Sequence, residues 1–260
     1  MDRLGFKGTD PAMRCRGMQF ELGTVHRHPD PLEMCKSGFH FCSRLADVDA
    51  YYQFSTSRVF IVQHGAHVLD EGDKCVTNEI VFLREITRET IDDLMTAPEY
   101  RKPMSENTNG LFQLFAARGD LEMVRYLLDH GANVHVNDDT ALGCASVNGN
   151  RDVVELLLDR GADIHAKDSW ALRFASVNGH RDVVELLLDR GADIHAQDDC
   201  ALRWASETGH RDVVVLLLDR GADIHAQDDY ALSWARQSGH KDVVELLLKN
   251  GAESGAEERC

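Results

Sequence analysis

Apolar and polar positions recur along the C-terminal part of the chain with a period of 30 residues. The string RDVVELLLDRGADIHA begins at Arg151 and returns unchanged at Arg181, as RDVVVLLLDRGADIHA at Arg211 and as KDVVELLLKNGA at Lys241. A looser copy, LEMVRYLLDHGANVHV, starts at Leu121 and keeps the register. Each period predicts two short helices. In the second, Val153, Val154, Leu157 and Leu158 fall at i, i+1, i+4 and i+5 and form one apolar stripe. Gly161 follows at a position suited to a left-handed C-cap. The first helix, around residues 141–148, buries Leu142 and Ala145 and stops near Gly149. Neither helix can bury its stripe alone, so neighbouring copies must stack into a continuous core.

Residues 1–97 carry no such period. Short strands are predicted at residues 18–22, 39–42, 59–63 and 79–86, the last with Ile80, Phe82 and Arg84 on one side. A short helix is predicted at 45–52 and another at 87–97, with Thr87 as its N-cap. This part reads as a small α+β domain. Pro98, Pro103 and a polar run at 105–109 punctuate a linker over 98–108. Five repeat units then occupy 109–253, and 254–260 is a tail.

Charge narrows the functional classes. The net charge is −16, which repels the phosphate backbone, so a nucleic-acid ligand is not expected. No run of eighteen apolar residues is present to span a membrane, and MDRLGFKGTD lacks the apolar core of a secretory signal. Seven scattered cysteines do not form a disulfide framework and suit a reducing cytoplasm. A cytoplasmic monomer is expected.

The stretch ALRFASVNGHRDVVELLLDRGAD, from Ala171, resembles an ankyrin repeat with about three residues missing from the hairpin tip that joins successive units. Of the family's Thr-Pro-Leu-His start, Thr140 keeps the threonine, while Trp170, Cys200 and Tyr230 replace it in later copies. The resemblance covers roughly residues 105–253. It implies a mainly α solenoid that serves as a rigid scaffold for a protein partner. Repeats shortened in this way are similar to those of giant DNA viruses that infect amoebae (Mimivirus-like), which implies a host protein as partner. CRGMQFELG, from Cys15, and CKSGFHFC, from Cys35, resemble an uncharacterised domain of phage and giant-virus proteins.

Positions that vary between copies are the candidates for recognition. With Gly131 as the first place of its unit, the tenth place holds Thr140, Trp170, Cys200 and Tyr230. The fourteenth holds Cys144, Phe174, Trp204 and Trp234. The two places are four apart and share one helix face, the fourteenth about 160° from the midpoint of the buried Leu and Ala positions. Trp170, Phe174, Trp204, Tyr230 and Trp234 are therefore expected to form a partner-binding aromatic ridge. The competing reading is that each ring packs on the neighbouring copy and holds the stack together. His135, His165, His195 and His225 recur one repeat apart, ~10 Å, too far to share a metal ion. They read as framework residues, as do His180, His210 and His240. Val215 replaces the glutamate found at Glu155, Glu185 and Glu245.

Two sharper chemistries attach to the N-terminal part. Cys15, Cys35, His40 and Cys42 offer zinc-ligand types, although no C-x2-C pair is present and buried structural cysteines are the default. SGFHFCSRLADVDAYY resembles the strand-then-helix segment of ADP-ribosyltransferases, which would put Glu79 at the catalytic glutamate position. Phe39 or His40 stands where that family has a nicotinamide-stacking tyrosine. The alternative is thus a modifying enzyme whose repeats recruit its substrate. The preferred reading is a protein-binding scaffold, with no catalytic residue, cofactor or metal assigned.

Overall fold

A computed structural model describes residues 4–15, 18–28, 39–45, 48, 53, 55–66, 68–70, 72, 74–77 and 79–252. The chain divides into two units, Met1–Arg118 with Tyr126–Ala132, and Gly119–Arg125 with Asn133–Cys260.

The first unit is built on short strands: β1 (Leu4–Thr9), β2 (Arg14–Cys15), β3 (Met18–Gln19), β4 (Val25–Arg27), β5 (Phe39–Phe41), β6 (Arg58–His64), β7 (Val68–Asp70), β8 (Cys75–Thr77) and β9 (Glu79–Glu85). An antiparallel sheet runs β1-β6-β9-β4, a second runs β5-β8-β7, and β2 pairs with β3. Phe20, Phe39, Phe41, Phe60 and Phe82 cluster in the core between them. Phe82 lies 4.7 Å from Phe20 and 5.3 Å from Phe60 between ring centroids. These are separations at which aromatic pairs add stability beyond their burial.

Three expected strands are present as β5, β6 and β9. The strand expected at 18–22 shrinks to β3, because Phe20 turns into the core and Leu22 only bridges Phe82. Arg84 departs from the expected face. Val62 pairs with Phe82 but Ile61 with Arg84, so Leu83 is an extra residue. That bulge reverses the alternation and leaves Arg84 exposed, ion-paired with Asp93 at 3.0 Å. The helix expected at 45–52 lies largely outside the described residues. Leu45 and Val48, which are described, are fully buried.

Thr87 caps α1 (Arg88–Thr96), and its backbone N–H donates to Thr90 Oγ1 at 2.9 Å, the reciprocal half of a capping box. The segment read as a linker is helical. Pro98 opens α2 (Pro98–Glu106) at the first position, where a missing N–H costs nothing. Met104 within it is fully buried. Next, α3 (Thr108–Arg118) is tied to the sheet, since Arg118 donates to the Ile86 and Ser57 carbonyls at 3.0 and 3.1 Å.

Following α4 (Leu121–Asp129), helix pairs repeat through the second unit. They are α5 (Thr140–Val147) with α6 (Arg151–Asp159), α7 (Ala166–Val177) with α8 (Arg181–Asp189), α9 (Ala196–Thr208) with α10 (Arg211–Asp219), and α11 (Ala226–Gln237) with α12 (Lys241–Lys249). Val183, Val184 and Leu187 are fully buried, as are their counterparts in α6 and α10 to within 1%. The buried stripe differs from the expected one in taking in Leu156 and leaving Leu158 partly exposed. Gly161 adopts φ +91°, the predicted left-handed cap.

Successive copies lock together through named polar contacts. His180 Nε2 donates to the Val147 carbonyl at 2.9 Å, and His210 Nε2 to Val177 at 3.1 Å. Each imidazole lies against the glycine of the preceding copy, Gly149 or Gly179, at φ +73° and +75°. On the second helices, Arg190 reaches back to Asp159 and Glu155, and Arg220 to Asp189 and Glu185. One unit on, the position of Arg190 and Arg220 is Asn250, so a glutamate at 215 would lack the inter-copy arginine and keep only Arg211, four residues before it.

The junction between units is a three-residue left-handed turn rather than a hairpin. Asn137–Asp138–Asp139, Lys167–Asp168–Ser169, Gln197–Asp198–Asp199 and Gln227–Asp228–Asp229 all have φ between +51° and +59°. Each such residue costs an L-amino acid roughly 1–2 kcal/mol, least for Asn and Asp. In three of the four turns a framework histidine compensates, the exception being the turn that ends in Ser169. His195 Nδ1 donates to Asp199 at 3.2 Å, and Asp199 also accepts the Asp223 N–H of the next copy at 2.8 Å. His135 and Asp139 repeat the arrangement.

Candidate partner-binding surface

The five aromatic side chains expected to point away from the core occupy the first helices of successive copies. Tyr230 is 44% exposed, and Trp170, Phe174, Trp204 and Trp234 are partly buried. These rings touch neighbouring aromatic side chains and still reach the surface.

Trp170 lies flat on Gly143 of the preceding copy, so closely that a Cβ there would collide with the indole. Gly143 stands where later copies have Arg173 and Arg203, and it makes the room. Phe174 meets Trp170 edge-on at 5.8 Å and Trp204 of the next copy edge-on at 5.5 Å. Tyr230 and Trp234 form a second pair at 6.2 Å. At the tenth place of the third copy, Cys200 is buried at 3% exposure. Burial pushes its thiol up, partly offset by Arg203 and Arg173. Cys200 is therefore a packing residue and interrupts the aromatic series.

Cations thread the surface. Lys167 Nζ sits 4.9 Å over the Trp170 ring and the Arg173 guanidinium 5.5 Å over Trp204, within the range of cation–π attraction. The arginines also hold the left-handed turns. Arg173 donates to the Lys167 carbonyl at 3.1 Å, and Arg203 to Gln197 and Asp198 at 2.8 and 3.1 Å. Sequence inspection missed this role, although Gly143, Arg173, Arg203 and Ser233 are as variable between copies as the aromatics.

The N-terminal candidates are placed as follows. Glu79 begins β9, and its carboxylate is paired with Arg27 across the sheet at 2.9 Å. Cys42 is buried beside β5, while Cys15 and His40 are partly exposed and Cys35 lies outside the described residues. No group of three or more His, Cys, Asp or Glu among the described residues is positioned to hold a metal ion. No helix among them is long and apolar enough to cross a membrane.

Stacked helix pairs on a 30-residue period, with variable side chains on one face of the first helices, define a helical repeat protein. Residues 85–168 and 172–258 match ankyrin repeats, and the chain belongs to the ankyrin-repeat family. The match begins upstream of the 105–253 stretch that the repeat pattern alone delimits. Residues 3–93 match a domain of unknown function, DUF7666. None of the curated proteins compared with the chain matches it. Ankyrin repeats generally mediate protein–protein interaction.

Proposed function

We propose that Trp170, Phe174, Trp204, Tyr230 and Trp234 form the surface through which this chain grips a protein partner. The observation that carries the reading is the contrast within one fold. Leucines and valines of the second helices are sealed in the core, whereas the aromatic rings of the first helices remain accessible in successive copies. Large rings bury much area at little entropic cost and dominate binding hot spots. The cations stacked on Trp170 and Trp204 hold those rings in place before a partner arrives, which lowers the ordering cost of association. The shortened units, similar to those of giant-virus ankyrin proteins, favour a host protein as the partner.

Affinity capture from host-cell lysate, wild type against Trp204→Ala/Trp234→Ala, tests this, with thermal melts alongside. The expected result is a folded variant that loses a specific protein. A variant that stays folded and captures the same proteins as wild type would sink the reading.

A further inference from the structure

The aromatic face has an acidic margin. Asp138, Asp168, Asp198 and Asp228 occupy the middle of the four left-handed turns, and all are exposed. In all four copies the carboxylate comes two residues before the tenth place, which puts Asp168 next to Trp170 and Asp228 next to Tyr230 along the chain. Neighbouring copies align these groups. Gln197 Nε2 donates to Asp168 Oδ2 at 2.9 Å and Gln227 Nε2 to Asp198 Oδ2 at 2.7 Å. The donor is a neutral amide in both cases, so the carboxylates are oriented without being neutralised. Trp170 and Trp204 carry their own lysine and arginine, and Tyr230 and Trp234 pair with each other.

We propose that the partner segment is basic, an extended Lys- or Arg-bearing stretch of another protein. This inference rests on the aromatic face being the binding surface. The partner's cations meet the turn carboxylates, one stacks on the Tyr230–Trp234 pair, and its apolar side chains lie on Trp170 and Trp204. The spacing agrees. Copies stack ~10 Å apart, and a polyproline-type strand returns the same face every three residues, about 9 Å. Charge complementarity of this kind sets partner choice and speeds association, and salt weakens it.

The test uses the full chain with two fluorescein-labelled peptides, four tandem copies of Arg-Pro-Leu or of Glu-Pro-Leu, read by anisotropy. Wild type should bind the arginine peptide, with affinity falling as NaCl rises, and bind the glutamate peptide at least about ten-fold more weakly. Asp168→Asn/Asp198→Asn/Asp228→Asn keeps an oxygen acceptor for each glutamine and should lose about ten-fold in affinity. Equal binding of both peptides, an unchanged triple variant, or no binding of the arginine peptide to wild type would overturn the basic partner. Failure of the surface itself looks different. Trp204→Ala/Trp234→Ala would then bind the arginine peptide as wild type does, while the aspartate variant loses it.

Discussion

Gly179→Ala probes the contact that locks one copy to the next. The residue sits at φ +75°, and a Cβ there would lie 2.5 Å from His210 Nδ1 and 2.7 Å from Cε1. Two costs separate cleanly. Holding alanine in the left-handed region costs roughly 1–2 kcal/mol. Moving the imidazole breaks its 3.1 Å bond to the Val177 carbonyl, which is worth about 0.5–1.5 kcal/mol. The single variant should thus lose roughly 2–3 kcal/mol, about 6–12 °C in Tm for a domain of this size. His210→Ala removes the obstacle, so in that background the glycine change should cost only the backbone part. The assay is a double-mutant cycle by urea unfolding, with Gly239→Ala as control, since Gly239 has φ +80° and nothing within 4 Å of its added Cβ. A coupling of about 1 kcal/mol is expected. Strict additivity within about 0.3–0.5 kcal/mol would refute the steric account.

Leu187→Ala should cost ~2–5 kcal/mol, because the side chain is fully buried in the repeat core; equal loss in Trp204→Ala, measured by the same melts, would show that the ring is core. Cys200 should resist alkylation in the native protein, since burial disfavours its thiolate. Timed labelling at pH 8 with peptide mapping should find it far slower than the partly exposed Cys15, and comparable rates would contradict the packing described. Arg190→Ala breaks ion pairs to Asp159 at 2.7 Å and Glu155 at 3.3 Å. These groups are about one-third or more exposed, so the loss should stay below about 1 kcal/mol and shrink in 1 M salt. A larger, salt-insensitive loss would point to packing by the arginine stem.

The repeats were legible because one 30-residue phrase recurs with its apolar positions unchanged, and periodicity needs no three-dimensional context. The aromatic positions were legible for the same reason, since residues that vary on a fixed frame stand out. Their partial burial was not, because it depends on what the neighbouring copy supplies, as Gly143 does for Trp170. The left-handed turns were hidden too, since Lys, Gln and Ser at those places carry none of the usual glycine marking. In the N-terminal unit β1 escaped notice. LGFKGT contains two glycines and buries both faces, Lys7 and Thr9 included, so no alternation is visible. α2 was mistaken for a linker because Pro98 and Pro103 read as breaks, whereas Pro98 falls at the first helical position, where a helix tolerates it, and among the described side chains of α2 only Met104 is buried.

The glycine–histidine lock has a consequence for how such a chain changes over time. Its two halves lie in adjacent copies, one glycine offered forward and one histidine offered back, so the copies with His180, His210 and His240 each carry both a socket and a plug, while Asn150 takes the histidine's place against Gly119. Gly239 is a socket of the same kind, left-handed at φ +80° and with nothing within 4 Å of an added Cβ. In-frame duplication of thirty codons would place a new histidine opposite it without altering any other residue. The array can therefore lengthen or shorten by recombination between its near-identical units, and each new copy can vary its tenth and fourteenth places while the frame stays intact.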